Sequence, residues 1–356
     1  MFQLPQRDLK KEDIIDILSI KSTEDMEALF REAYRIKEKY IGKIVYYRGL
    51  IEFSNICAKN CYYCGIRKDN PHKRYEMTDE EIQEAALFAY ENRYGSIVLQ
   101  SGEREDSVFI EKIIRNLNLI RQKTGGKLGI TLCVGEQEEE VYQKFFEAGA
   151  HRYLLRIETS SQDFYKTLHP KDHLFERRLS CLKTLKRIGY QTGTGVMIGL
   201  PGQTLENLAD DLLFFREMDI DMAGMGPYIE HEQTPLYELK NSLETKEERF
   251  QMGLKMIALL RIIMKDINIA STTALQTLDP IGREKGLLAG ANILMPNITP
   301  QQYRGDYLLY QDKPCIGDTK EECKNCLSLR ISGIGESIGY NEWGDSRHFY
   351  HKKIKH

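Results

Sequence analysis

Hydrophobic positions follow two alternating periods along the chain. Short runs rich in β-branched and aromatic residues, such as Lys43–Ser54 (KIVYYRGLIEFS) and Ser96–Gln100, predict strands. Between these runs apolar residues recur every three to four positions, which predicts helices. A capping box of Thr78 and Glu81 marks the beginning of one helix, and Ser22 is a candidate cap within a helical region over 10–40.

The pattern contains eight predicted strands. They cover 43–54, 96–100, 128–134, 152–158, 194–200, 222–228, 268–273 and 291–295. The main intervening helices are predicted over 80–93, 107–122, 138–149, 175–188, 205–218, 246–265 and 282–288. This alternation implies a parallel sheet with right-handed crossovers, and eight units suggest a complete (β/α)8 barrel, or TIM barrel.

The remaining segments flank that predicted barrel. We therefore expect an α/β protein with a helical N-terminal extension over 1–42, a barrel over 43–296 and a more polar C-terminal extension over 297–356.

Composition narrows the class of protein. Lys and Arg number 50 against 53 Asp and Glu, which argues against a strongly basic nucleic-acid binder, and 41% hydrophobic residues can form a sizeable core. No apolar run approaches the roughly 20 residues of a membrane span, and the N-terminus is too polar for a signal peptide. We expect a cytoplasmic protein that binds neither nucleic acid nor membranes.

Clustered cysteines carry the strongest chemical signal. Six of the eight cysteines form two groups of three: Cys57, Cys61 and Cys64, and Cys315, Cys323 and Cys326. In a chain of cytoplasmic character such groups bind metal more often than they form disulfides.

The first group has the spacing CX3CX2C and directly follows the first strand. Barrel enzymes carry out their chemistry at this end of the strands. Three thiolates can hold three corners of a [4Fe–4S] cube and leave the fourth iron to a non-protein ligand. Zinc with a distant fourth ligand, or plain surface thiols, are the alternatives.

CX3CX2C with Tyr63 before the last cysteine resembles the radical S-adenosylmethionine (SAM) enzymes. The resemblance implies that SAM chelates the open iron and that an electron from the cluster cleaves SAM to a 5′-deoxyadenosyl radical. It also implies SAM contacts from Tyr63, Gln100, Ser101, Gly102, Glu103, Glu158 and Arg178. The alternatives are that Glu103 and Glu158 lie at solvated strand ends and that Arg178 is an ordinary charge on a helix surface.

Longer segments, among them IVLQSGE, TGVMIGLPGQT and ANILMPNITPQQYR, resemble the HydE family, radical SAM maturases of the [FeFe]-hydrogenase H-cluster. This implies an iron–carbonyl–cyanide substrate carrying cysteine, other hydrogenase maturases as partners, and ferredoxin or flavodoxin as electron donor. A 3-methylornithine synthase-type mutase, a biotin synthase-like enzyme and a non-catalytic iron–sulfur carrier or scaffold remain alternatives. Sulfur insertion is disfavoured because only Cys133 lies on a predicted strand.

Polar residues on predicted strands suggest an anionic guest inside the barrel. They are Arg48, Arg152, Arg156, Thr272 and Thr273. Buried guanidinium groups need a partner or an anion, and a pair between Arg48 and Glu52 is the alternative. The resemblance adds Met222, Met295 and Tyr303 as cavity residues, although methionines on strands are often plain core.

The second cysteine group, CX7CX2C, matches the spacing of an accessory iron–sulfur cluster near the surface of some HydE members. Its form, [2Fe–2S] or [4Fe–4S], stays open, and zinc with His348 or His351 as fourth ligand is the alternative. Cys133 is a possible neighbour of the substrate or core, and Cys181 is expected to be structural.

Overall fold

The computed structural model describes residues 4–355, with side chains through 352. Its strands are β1 Ile44–Ser54, β2 Ser96–Ser101, β3 Gly129–Cys133, β4 Arg152–Leu154, β5 Gln191–Thr194, β6 Met197–Ile198, β7 Met222–Ala223, β8 Gly226–Pro227, β9 Asn268–Ile269, β10 Ile293–Leu294 and β11 Ser337–Ile338. Eight of them form a parallel sheet in the order β10-β1-β2-β3-β4-β5-β7-β9, and β11 pairs with β1. The α/β class is confirmed.

The sheet is curled, so that its outer strands approach each other. Asn292 N donates to Ile269 O at 2.9 Å, and Ser271 N donates to Ile293 O at 2.9 Å. Beyond the main sheet, β6 and β8 form a short parallel pair that prolongs the walls of β5 and β7. The curled sheet thereby surrounds a central space.

The helices lie between the strands and at both ends of the chain. They are α1 Lys11–Leu18, α2 Thr23–Tyr40, α3 Asp79–Glu91, α4 Ser107–Lys123, α5 Glu139–Glu147, α6 Gln162–Leu168, α7 Phe175–Ile188, α8 Leu205–Glu217, α9 Lys246–Ile263, α10 Thr273–Leu278, α11 Gly282–Leu288, α12 Gln301–Arg304, α13 Lys320–Gly333 and α14 Arg347–Lys355, with a 3₁₀ helix at Pro235–Ser242. Among the residues that the structure describes, no helix is long and apolar enough to cross a membrane.

Local capping explains several boundaries. The capping box of Thr78 and Glu81 is confirmed at the start of α3. The helical region predicted over 10–40 is two helices, because Ser22 caps α2 by accepting from Asp25 N and so starts a new helix. The predicted seventh strand ends early, since Thr272 occupies the N-cap position of α10, without a side-chain capping bond, and Thr273 begins the helix.

The C-terminal segment fills the end of the sheet at which the strands begin. Arg152, the first residue of β4, pairs with Asp345 at 2.5 Å. Asn268, the first residue of β9, donates to Gly344 O at 2.8 Å. This arrangement blocks one end of the central space and leaves the carboxyl ends of the strands for chemistry.

Candidate active site

A cavity of about 310 Å³ lies at the carboxyl ends of the strands. Its walls include most of the residues predicted from the cysteine loop and the strand ends: Cys57, Cys61, Tyr63, Cys64, Gln100, Ser101, Gly102, Glu103, Arg156, Glu158, Arg178, Thr272, Thr273 and Met295. This volume suits a small molecule rather than a polypeptide.

Arg74 organises the loop that carries the three cysteines. Its guanidinium donates to five backbone carbonyls of that loop: Asn55 O at 2.7 Å, Ile66 O at 2.8 Å, Arg67 O at 2.6 Å, Lys68 O at 3.0 Å and Asn70 O at 3.3 Å. One half-buried cation thus satisfies the carbonyls of an irregular segment, which would otherwise need other partners. The loop is shaped by the protein itself.

Gly102 lets the end of β2 sit directly against the cysteine loop. A Cβ at this position would lie 2.3 Å from Ile56 O and 2.8 Å from Cys57 Cβ. With glycine there, Ala58 N donates to Glu103 O at 2.8 Å, and Glu103 N donates to Cys57 Sγ at 3.3 Å. The close approach explains why this position has no side chain.

The three sulfurs suit an iron–sulfur cluster better than a single zinc ion. Burial raises the pKa of all three thiols, that of Cys64 to about 12, so that bound cations would have to supply the charge that stabilises the thiolates. Tetrahedral zinc would hold sulfurs about 3.8 Å apart. Among the described residues, the sulfurs of Cys57, Cys61 and Cys64 do not all lie within 4.8 Å of one another, so at least one pair is wider than zinc would set.

A buried network of charges adjoins the cysteines. Arg178 lies between Glu103, at 3.2 Å, and Glu136, at 2.7 Å, and Lys59 contacts the same two carboxylates at 3.2 and 2.9 Å. Burial raises the pKa of Glu103. Burial alone would also raise the pKa of Glu136, but the positive charges of Arg178 and Lys59 outweigh burial, so the pKa of Glu136 is lowered. Charges of both signs could receive the ammonium and carboxylate groups of an amino acid.

Glu158 occupies a strained position on the cavity wall. Its φ of +66° lies in the left-handed region. Of the strand predicted over 152–158, β4 covers only Arg152–Leu154. Arg156 Nη2 lies 3.0 Å from its carboxylate. On the cysteine side, Tyr63 OH lies 3.3 Å from His169 Nε2.

The wall opposite the charged network contains residues that sequence reasoning missed. Tyr310 and Lys313 reach the cavity from the segment after the sheet. Tyr310 OH and Thr273 Oγ1 are 2.6 Å apart, and Lys313 Nζ donates to Glu52 at 2.6 Å. No regular hydrophobic period marks this segment, so the sequence contained little signal for it. Cys133 also lies on the wall, and burial raises its pKa to about 12.

Four predicted cavity residues lie elsewhere. Arg48 and Met222 line a second cavity of about 30 Å³, where Arg48 Nη1 lies 2.9 Å from Met222 Sδ. Arg152 is neutralised by Asp345, so it does not await an anion. Tyr303 donates to Glu81 at 2.8 Å and stacks on Tyr75, which places it outside the main cavity. The ion pair between Arg48 and Glu52, considered as the alternative, does not form, because Glu52 pairs with Lys313 instead.

The second cysteine group extends from the main cavity to the protein surface. Cys315 and Cys323 line the main cavity, whereas Cys326 is exposed. Both ring nitrogens of His348 are engaged, Nδ1 with Asp266 at 3.0 Å and Nε2 with Asp219 at 2.6 Å, which argues against zinc ligation by this histidine. Cys181 is buried on α7, as expected for a structural residue.

Comparison with known proteins agrees with this geometry. Residues 51–215 match the radical SAM superfamily. The chain is 45% identical over 349 residues to the [FeFe] hydrogenase maturase subunit HydE of Thermotoga maritima, covering 98% of this chain and 97% of the relative. In structure it resembles methylornithine synthase, with a TM-score of 0.81, 24% identity and coverage of 94% and 96%. It also resembles HydG, a maturase of the [FeFe]-hydrogenase, with a TM-score of 0.77, 17% identity and coverage of 98% and 78%.

The cysteine loop and the curled parallel sheet define a radical SAM enzyme. Within that superfamily the chain belongs to the HydE family, which its similarity to the Thermotoga protein over nearly the full length shows.

Proposed function

We propose that this protein reductively cleaves SAM in its main cavity and acts in maturation of the [FeFe]-hydrogenase H-cluster, on an iron–carbonyl–cyanide precursor carrying cysteine. The observation that carries the proposal is the CX3CX2C loop facing a cavity whose next wall is a buried network of Arg178, Glu103 and Lys59. The 45% identity to a maturase supports the choice of pathway.

Cys57, Cys61 and Cys64 would hold the [4Fe–4S] cluster. Ser101 to Glu103 would bind the amino group of SAM, Arg178 its carboxylate and Glu158 its ribose hydroxyls. When bound, cluster and SAM supply radical chemistry through one-electron cleavage of a sulfonium bond. The chain's own part is to orient SAM through these charges and to exclude water from the cavity.

Closure of the sheet would serve that exclusion. We propose that the sheet forms a complete (β/α)8 barrel between the terminal extensions over 1–42 and 297–356. Hydrogen bonds between Asn292 and Ile269, and between Ser271 and Ile293, support closure. A closed wall keeps solvent hydrogen donors away from a reactive radical.

Several groups would receive the precursor. Arg156, which also pairs with Glu158, would contribute its cation from the cavity wall, which Met295 and Thr273 line as well. Thr272 Oγ1 is buried without a hydrogen-bond partner among the described residues, and a hydroxyl left in this state favours a guest that accepts a hydrogen bond.

For the second group we propose an iron–sulfur cluster held by Cys315, Cys323 and Cys326. The last two cysteines lie one helical turn apart on α13. Ferredoxin or flavodoxin would donate electrons, other maturases would exchange small molecules with the enzyme, and all would act in the cytoplasm.

Anaerobic reconstitution with iron and sulfide tests the cleavage step. With dithionite and SAM, the wild-type protein should release 5′-deoxyadenosine and methionine. Cys61→Ala should abolish this release, whereas Cys323→Ala should retain it. Equal loss in both variants would contradict the separate roles proposed for the two cysteine groups.

Restoration of hydrogenase activity tests the pathway. We expect the protein to restore H-cluster assembly in a maturation system that lacks HydE. SAM cleavage without restoration would instead favour another biotin synthase-like reaction, such as that of a 3-methylornithine synthase.

A further inference from the structure

The turn that follows Glu158 is held in a strained shape. A non-glycine residue with φ near +66° persists only where its surroundings enforce it. On one side, Glu158 N donates to Gly195 O at 3.0 Å and Glu158 O accepts from Met197 N at 3.2 Å. These bonds fix Glu158 itself. The residues that follow it, up to Ser160, need another group to hold them in place.

Asp211 of α8 provides that group. Its Oδ1 accepts from Ser160 N at 2.6 Å and from Ser160 Oγ at 2.7 Å. The side chain is fully buried, and Oδ2 has no hydrogen-bond partner among the described residues. One carboxylate oxygen therefore binds a residue two positions after Glu158, while the other oxygen is free to carry a proton.

We infer that Asp211 is a positioning residue for SAM binding, which acts through Ser160 to hold the Glu158 turn and loosens that turn when it is protonated. The inference rests on the proposed function, in which Glu158 binds the ribose of SAM. An ionised acceptor makes the stronger hydrogen bond to Ser160, so the turn is firmest when Asp211 is charged.

Protonation of Asp211 falls in the physiological range. Burial, with a smaller contribution from Asp210, raises its pKa to about 7, in spite of the hydrogen bonds from Ser160 and the nearby Thr159 hydroxyl, which lower it. On the same helix the neighbouring charge is Asp210, which pairs with Lys11 of α1 at 2.7 Å. Arg216 of α8 is occupied by Leu9 O at 3.1 Å. On the cavity side of the turn, Arg156 pairs with Glu158.

Other titratable groups lie near the cavity, and the hydrogen bond with Cys315 lowers the pKa of one of them, Cys323, to about 7. Burial lowers the pKa of His169 to about 3 and lowers that of His173 below its usual value. The amino group of SAM itself titrates near pH 8, so the slope of the wild type alone does not identify Asp211. The informative quantity is the difference between the wild type and Asp211→Asn.

SAM binding to the reconstituted holoenzyme tests the inference, with dissociation constants measured by equilibrium dialysis from about pH 6 to about pH 8.5. In Asp211→Asn we expect affinity about fivefold weaker at the upper pH, converging with the wild type at the lower pH. Glu217→Gln removes an exposed carboxylate from the same helix, so it is the matched control and should follow the wild-type curve.

A second variant separates positioning from folding. Ser160→Ala removes one donor to the carboxylate, so the step in affinity should move to higher pH, which a merely structural role would not produce. Iron content and thermal unfolding verify that each holoenzyme is intact. Identical pH dependence in the wild type, Asp211→Asn and Ser160→Ala would overturn this inference alone, whereas a wild type that binds no SAM would overturn the proposed function as well.

Discussion

At the scale of single residues, Gly102 sets the distance between β2 and the cysteine loop. We expect Gly102→Ala to displace the loop, because its Cβ would meet Ile56 O at 2.3 Å and Cys57 Cβ at 2.8 Å. Iron bound after reconstitution should fall severalfold, as measured by iron and sulfide analysis. Gly305→Ala is the matched control, since nothing lies within 4 Å of a Cβ there, and equal iron loss in both would contradict the steric argument.

Individual residues also show where sequence reasoning succeeds. The cysteines of the first group were predicted from their spacing, and Glu103 and Arg178 from the family resemblance; all of them line the main cavity. Tyr303 was wrongly expected in the cavity, where Tyr310 lies instead. Tyr303 lies in the short helix α12 and Tyr310 in the irregular stretch after it, and the path of this segment depends on tertiary contacts that no period in the sequence encodes.

At the scale of elements, the pair of Lys313 and Glu52 ties the segment after the sheet to β1. Both side chains are buried, and Glu52 also accepts from Asn297 at 3.0 Å. Lys313→Met should lower the free energy of unfolding by about 3–5 kcal/mol, because it leaves a buried carboxylate without its cation. Urea unfolding under anaerobic conditions measures the loss.

Two further variants test the cause of that loss. Adding Glu52→Gln to Lys313→Met should recover part of the stability, since the buried charge is then gone. Lys43→Met breaks an exposed pair with Glu38 and should cost less than about 1 kcal/mol. A double variant as unstable as Lys313→Met would show that packing, not charge, explains the effect.

Element boundaries depended on conformations that residue patterns do not reveal. The first three strands were predicted within a residue or two, since their apolar runs are long. The fourth predicted strand, over 152–158, extends past β4, which ends at Leu154. The fifth, over 194–200, begins only at the last residue of β5, which starts at Gln191. Short polar strands of a buried parallel sheet resemble loops in sequence.

At the scale of the whole molecule, helix α14 secures the C-terminal segment beneath the sheet. Burial alone would lower the pKa of His348, but hydrogen bonds to Asp266 and Asp219 outweigh burial and raise it. The stability that this pairing contributes is present below the usual histidine pKa of about 6.5 and is lost as pH rises through the raised value. Lys352, which also contacts Asp219, opposes the protonated form.

Hydrogen exchange of residues 347–352 checks this expectation. After correction for intrinsic rates, protection should be greater at about pH 6 than at about pH 9. His348→Gln should abolish the difference, whereas peptides of α4 should not respond to pH. Equal protection at both pH values in the wild type would contradict a role for the charged imidazole.

The five hydrogen bonds from Arg74 to carbonyls of the cysteine loop have a consequence for rebuilding a damaged cluster. In zinc fingers the ion itself folds the chain, so its removal destroys the binding site. Here the guanidinium of Arg74 holds the loop through its hydrogen bonds, so we expect the loop conformation to depend less on the cluster. We therefore expect that after oxygen destroys the cluster, the cysteine loop can accept a new cluster when iron and sulfide are supplied.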